Sequence, residues 1–127
     1  MKNSINQYIS ILFVSLIFFY PLKANEQFNF DVSEIKISKN GNQIHGYGGG
    51  IATTDKGDQI IADQFIYNKF TNILEATGSV KFTDSLDKTN IFSDKAIYFK
   101  NKEKISFVSN SKAVNEKNTI TADELIY

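Results

Sequence analysis

The end of the chain nearly copies its middle. Ile120-Thr121-Ala122-Asp123-Glu124-Leu125-Ile126-Tyr127 follows the order of Ile60-Ile61-Ala62-Asp63-Gln64-Phe65-Ile66-Tyr67, and Ile91-Phe92-Ser93-Asp94-Lys95-Ala96-Ile97-Tyr98 stands between them. Phe30-Asp31-Val32-Ser33-Glu34-Ile35-Lys36-Ile37 is a weaker fourth copy, and the four starts lie 30, 31 and 29 residues apart. A period of this length marks a chain of supersecondary units that stack and share one core, so the repeat constrains the fold more than any other feature.

Each copy reads apolar, any, small or apolar, Asp or Ser, any, apolar, any, Tyr or Ile. Ile60 and Ala62 share one face of a strand, but Phe65 and Tyr67 fall on the opposite parity, so a regular strand would split them across two faces. One extra residue absorbed near Asp63 restores a single face. A β-bulge or corner does this, with the Asp or Ser side chain available to bond the locally unpaired backbone.

A second strand occupies the interval. In Leu74-Glu75-Ala76-Thr77-Gly78-Ser79-Val80-Lys81-Phe82, the residues Leu74, Ala76, Val80 and Phe82 lie on one face and Glu75, Thr77, Ser79 and Lys81 on the other. Gly78 marks a bend or bulge in it. Asn68 to Asn72 and Asn101 to Lys104 have hairpin length, and Asp84 to Asn90 turns the chain into the next copy. In the first interval Gly46, Gly48, Gly49 and Gly50 cluster beyond an Asn40-Gly41-Asn42 turn. A phosphate cradle would need a helix and a Lys-Ser/Thr pair behind those glycines, and neither follows, so a strongly bent strand is expected there. Val, Ile, Thr, Tyr and Phe dominate the runs, without sustained helical periodicity, and the domain reads as all-β.

Lys2 and the apolar run Ile9 to Tyr20, broken by Pro21 and closed by Ala24, have the form of a secretory signal with cleavage after Ala24. The run is short for a membrane span, although an uncleaved signal anchor is the alternative. Residues 25 to 127 then form the domain, with 12 lysines against 14 carboxylates. That balance excludes an electrostatic footprint for nucleic acid. The basic residues are all lysines, which lack the planar fork of Arg for phosphate. With no cysteine in an exported chain there is no disulfide framework and no thiolate metal site.

The pieces Ile60-x-Ala62-Asp63-x-Phe65-x-Tyr67, Asn72-Ile73-Leu74-x-Ala76-x-Gly78-x-Val80 and Ser93-Asp94-Lys95-Ala96-x-Tyr98, recurring in register, resemble the OstA-like periplasmic domains of lipopolysaccharide transport. That family includes the bridge protein LptA, the anchored LptC and the N-terminal domain of LptD, and the likeness runs over about residues 28 to 127. The opening Glu26 to Val32 behind a signal most resembles the LptD segment, and the chain's stop on the last residue of a copy reads as an incomplete final repeat. The resemblance implies a β-jellyroll, a V-shaped trough of antiparallel strands. It further implies lipopolysaccharide, through its lipid A acyl chains, as ligand, edge-strand stacking on other OstA-like domains, and a periplasmic location with possible outer-membrane association.

On that reading Ile60, Ala62, Phe65, Tyr67, Leu74, Ala76, Val80, Phe82, Ala96, Tyr98 and Phe107 form the lipid-facing wall, whereas from the residues alone a closed core is the better reading of each, and only the resemblance tips it toward lipid. Ile120, Leu125, Ile126 and Tyr127 form the edge offered to a partner. The alternative function is a stacking module of the envelope that touches no lipid. An enzyme has little to stand on: His45 is the sole imidazole, beside no Ser, Asp or metal-ligand constellation. Asp63, Asp94 and Asp123 come one per repeat, so each serves its own corner rather than a Ca²⁺ site, which needs six to eight converging oxygens. No cofactor or metal is called for.

Overall fold

The computed structural model describes residues 28–127, so the expected signal segment lies outside the described residues. Eight strands follow in order: β1 (Phe28–Ser38), β2 (Gln43–Thr54), β3 (Gln59–Ala62), β4 (Gln64–Asn68), β5 (Ile73–Thr83), β6 (Asn90–Phe99), β7 (Lys104–Val114) and β8 (Thr119–Ile126). A short 3-10 turn, Lys100–Lys102, links β6 to β7. All pairings are antiparallel, in one sheet of order β1-β2-β3-β5-β6-β7-β8, with β4 taking over from β3 between β2 and β5.

The sheet bends along one line, and the repeat sets that line. At the middle copy β3 ends at Ala62 and β4 begins at Gln64, with Asp63 alone at the corner. The copies at 30, 91 and 120 pass the same line as irregularities in β1, β6 and β8. Opposite each single residue the neighbouring strand inserts two, such as Gly78 and Ser79 in β5, between the pairs Thr77↔Lys95 and Val80↔Ser93. One extra residue reverses strand parity and two preserve it, so both strand types keep one apolar face inward throughout. Ile60, Ala62, Phe65 and Tyr67 are accordingly all buried, as the parity argument requires.

The corner itself is held by backbone. The Asp63 N–H donates to the carbonyls of Thr77 and Gly78, and its own carbonyl accepts from Gly49 N–H at 2.9 Å. The carboxylate of Asp63 lies over Gly78, where an added Cβ would stand 2.3 Å from Oδ2. The expectation of a side chain bonding the loose backbone is therefore corrected at Asp63: the main chain makes those bonds. The glycine cluster of β2 is the counterpart of Gly78, with φ of 77° at Gly48 and 78° at Gly49, a conformation that glycine adopts without steric cost.

The bend makes two walls that face each other. Rings from one wall meet rings from the other: Phe82 lies 5.6 Å from Phe107 and 5.4 Å from Tyr127, and Phe28 lies 5.0 Å from Tyr67 and 5.5 Å from Tyr98. This core joins the walls between corner and mouth. A buried polar member is paired within it: Ser111 Oγ donates to the Phe107 carbonyl at 3.0 Å.

Candidate functional site: the interior and edges of the bent sheet

Register lines the interior in rows that run across the strands. One row, in the first wall, is Phe30, Ala52, Ile60, Phe82, Ile91, Ala113 and Ile120. Its counterpart in the second wall is Ile35, Gly46, Phe65, Ala76, Ala96, Phe107 and Leu125. Beyond it, towards the mouth, come Ile37, Ile44, Tyr67, Leu74, Tyr98 and Ile105, with Tyr127 exchanging backbone bonds with Ile105. Cross-strand neighbours on one face pack directly, so each row is a continuous apolar stripe.

All eleven residues expected on the lipid-facing wall lie on this inner face and are buried. The structure brings them together in one core. It adds Phe28, Ala52, Ile91 and Ile105 as buried members, with Phe30, Val32, Ile44 and Ala113 packed against them. Ile91 and Phe30 were visible as the first residues of their copies. Phe28 shares parity with Phe30, and that alternation was its only signal.

Burial fails at the two ends of the rows. At the first edge Ile35 and Ile37 are 51% and 61% exposed, and at the last edge Ile120 is 56% exposed. These side chains share the inner face with their cross-strand partners Gly46, Ile44 and Ala113, and among the described residues no further strand lies beyond them. β8 is paired with β7 from Ser106↔Ile126 to Val114↔Thr119, and its other side is the border of the sheet. Of the four residues expected at the partner edge, Ile120, Leu125 and Tyr127 lie on the inner face. Ile126 sits on the outer face beside Ser106, as do Ile66 and Ile97 in their copies.

At the mouth, turns of the first wall meet turns of the second. Lys56 Nζ lies 2.8 Å from Glu103 Oε1, Lys100 pairs with Asp55, and the Tyr127 hydroxyl donates to Asp84 at 3.0 Å. Hydrogen bonding from Lys100 holds the Asp55 carboxyl below its ordinary value, and Lys56 does the same to Glu103. Burial first, and then its bonds to Asp84 and Asp87, push the Tyr127 phenol up, which keeps it a neutral donor.

Among the described residues no group of three or more His, Cys, Asp and Glu side chains could hold a metal ion. Asp63, Asp94 and Asp123 mark the corners of separate copies, and Asp94 accepts from Asn110 at 2.7 Å. His45 stacks on Tyr47 and contacts Ser38 Oγ at 3.4 Å.

A comparison with curated proteins gives no sequence match. Among solved structures, the chain is similar to LptH, described as the LptA-homologous periplasmic component of the lipopolysaccharide transport device of Pseudomonas aeruginosa. The TM-score is 0.70 at 14% identity, covering 81% of this chain and 77% of that one, which establishes the shared β-jellyroll fold. A family model described as OstA-like protein matches residues 28–127, all of the described part. The chain belongs to the OstA-like protein family.

Proposed function

We propose that this chain is a non-enzymatic module of lipopolysaccharide transport in the periplasm, one that houses acyl chains between its two walls and stacks by its edge strands on similar domains. The observation that carries the reading is the continuity of the inner face. Its apolar rows run the full width of the sheet and remain uncovered at both edges, at Ile35 and Ile37 on one side and Ile120 on the other. An interior meant only as a core would end its rows in polar residues, because exposed apolar ends and unpaired backbone invite association. A neighbouring domain set against either edge extends the rows. Family membership and the likeness to LptH support the ligand class.

The close packing of Phe65, Phe82 and Phe107 favours a second reading, a stacking module whose interior never admits lipid. Photocrosslinking separates the two. Benzoylphenylalanine at Phe107 in the full chain, irradiated with lipopolysaccharide, is expected to give a lipid adduct, whereas the same group at outward-facing Lys81 gives none. Equal labelling at both positions, or none at Phe107, rejects lipid housing and leaves the stacking module.

A further inference from the structure

The two lips of the mouth carry opposite charge. The turns that end the first wall, 55–58, 84–89 and 115–118, hold Asp55, Asp58, Asp84, Asp87 and Glu116 against three lysines. Those ending the second wall, 39–42, 69–72 and 100–103, hold Lys39, Lys69, Lys100 and Lys102 against Glu103 alone. The lips meet through Asp55–Lys100, Lys56–Glu103 at 2.8 Å, and Tyr127 to Asp84 and Asp87 at 3.0 and 3.4 Å. Beneath these contacts lies a crevice between the walls. Phe82, Tyr98, Ile105 and Tyr127 line its depth, and Leu86, almost fully exposed, stands at its rim.

We infer that these contacts form an ionic clasp that gates the mouth, and that parting the clasp is the step that admits an acyl chain along Phe82, Tyr98, Ile105 and Tyr127. The inference rests on the lipid-housing reading above. Its physical basis is a mismatch in strength. Packing of aromatic rings joins the walls deeper down, whereas the lips are joined by ion pairs that reach solvent, with Lys56, Glu103 and Asp55 half-exposed and Lys100 mostly covered, and such pairs contribute little singly and weaken with salt. A device of that kind orients two surfaces and yields readily. Both ion pairs, Asp55–Lys100 and the reversed Lys56–Glu103, act across the mouth between lips of opposite net charge, so separation of the walls breaks them together. An acyl chain entering there passes from a polar rim onto an apolar floor, the order in which its head and tail are arranged.

The chain lacks cysteine, so introduced thiols are unique. In the full chain, Lys56→Cys with Glu103→Cys can be bridged by a short bismaleimide and compared with the same variant left unbridged. Uptake of dansyl-labelled undecanoic acid is read by its fluorescence. Bridging is expected to slow uptake at least tenfold, and Lys56→Gln with Lys100→Gln to speed it several-fold over the unaltered chain. Exchange of Asp55→Lys with Lys100→Asp should restore the unaltered rate. Spin labels at Leu86 and Lys102 report the gap without any lipid, and their distance distribution should widen in the neutralised variant. Equal uptake with and without the bridge, or an unchanged gap on neutralisation, overturns the gate. A gap that widens while no form takes up the probe upholds the clasp and removes the lipid-housing reading instead.

Discussion

Phe82 is the residue on which the two-wall arrangement can be tested most directly. It is 1% exposed, and its ring contacts Phe107 and Tyr127 of the opposite wall. Truncation to Ala removes a buried ring at the junction of the walls, which costs about 3–5 kcal/mol. A domain of about 100 residues has roughly 5–15 kcal/mol in total, so the loss is a large share of it. At about 4–8 °C per kcal/mol, the melting temperature should fall by at least about 12 °C. Phe92 provides the control. It follows Ile91, the cross-strand partner of Phe82, and therefore points outward, 41% exposed under Lys81 Nζ at 5.9 Å. Phe92→Ala forfeits mainly that cation contact, about 0.5–1 kcal/mol. Thermal and urea melts by circular dichroism on the two variants check the comparison. Losses within about 1 kcal/mol of each other would refute the assignment of faces, and with it the packing of one wall on the other.

At Gly50 an added Cβ would stand 2.2 Å from the Asp31 carbonyl oxygen and 2.7 Å from Val32 Cα, so Gly50→Ala forces backbone to move and should cost about 3 kcal/mol or more, measurable in the same melts. Asp55 and Glu103 are held below their ordinary values of 3.8 and 4.5, so their contribution is full above those values and is lost as pH falls through the lowered folded ones. The Leu86 to Lys102 gap should therefore stay constant from neutral pH down to about pH 5 and widen only as pH falls below those ordinary values, where Asp55 and Glu103 take up protons. The free border of β8 should drive concentration-dependent self-association of a protein of residues 25–127, reduced by Ile126→Lys; sedimentation velocity over a hundredfold concentration range checks this, and a monomer throughout would refute it.

The fold was legible because the repeat states its geometry twice. Parity within Ile60 to Tyr67 demands one extra residue, and recurrence at 91 and 120 demands it in register, so a bent sheet follows without knowledge of any contact. The eleven inner residues were legible for the same reason. Two things were not. The pairing of one extra residue against two depends on the neighbouring strand, and nothing in Thr77-Gly78-Ser79-Val80 alone says that both middle residues are looped out, since an insertion of two leaves the alternation intact. The clasp was hidden too. Asp55 and Lys100 are 45 residues apart in turns whose charges look like ordinary solvated loops, and only the fold brings one lip over the other.

The bend and the clasp then imply where motion must occur. Every long strand crosses from one wall to the other, so the walls cannot slide past each other without breaking ladders; they can only rotate about the line where the ladders are already interrupted. That line carries Gly48, Gly49 and Gly78 at positive φ, together with Ser79, Ser109 and Asn110. Opening at the mouth therefore leaves the cross-strand hydrogen bonds within each wall intact. It breaks the ion pairs across the lips and separates Phe82 from Phe107 and Tyr127. The apolar surface so exposed is returned to water unless acyl chains replace the lost contacts, since burial per unit area is worth about the same whichever apolar group provides it. On the proposed function, a lipid-filled interior and a closed one are thus alternative ways of covering the same rows, and the residues that build the core are those that would line the lipid.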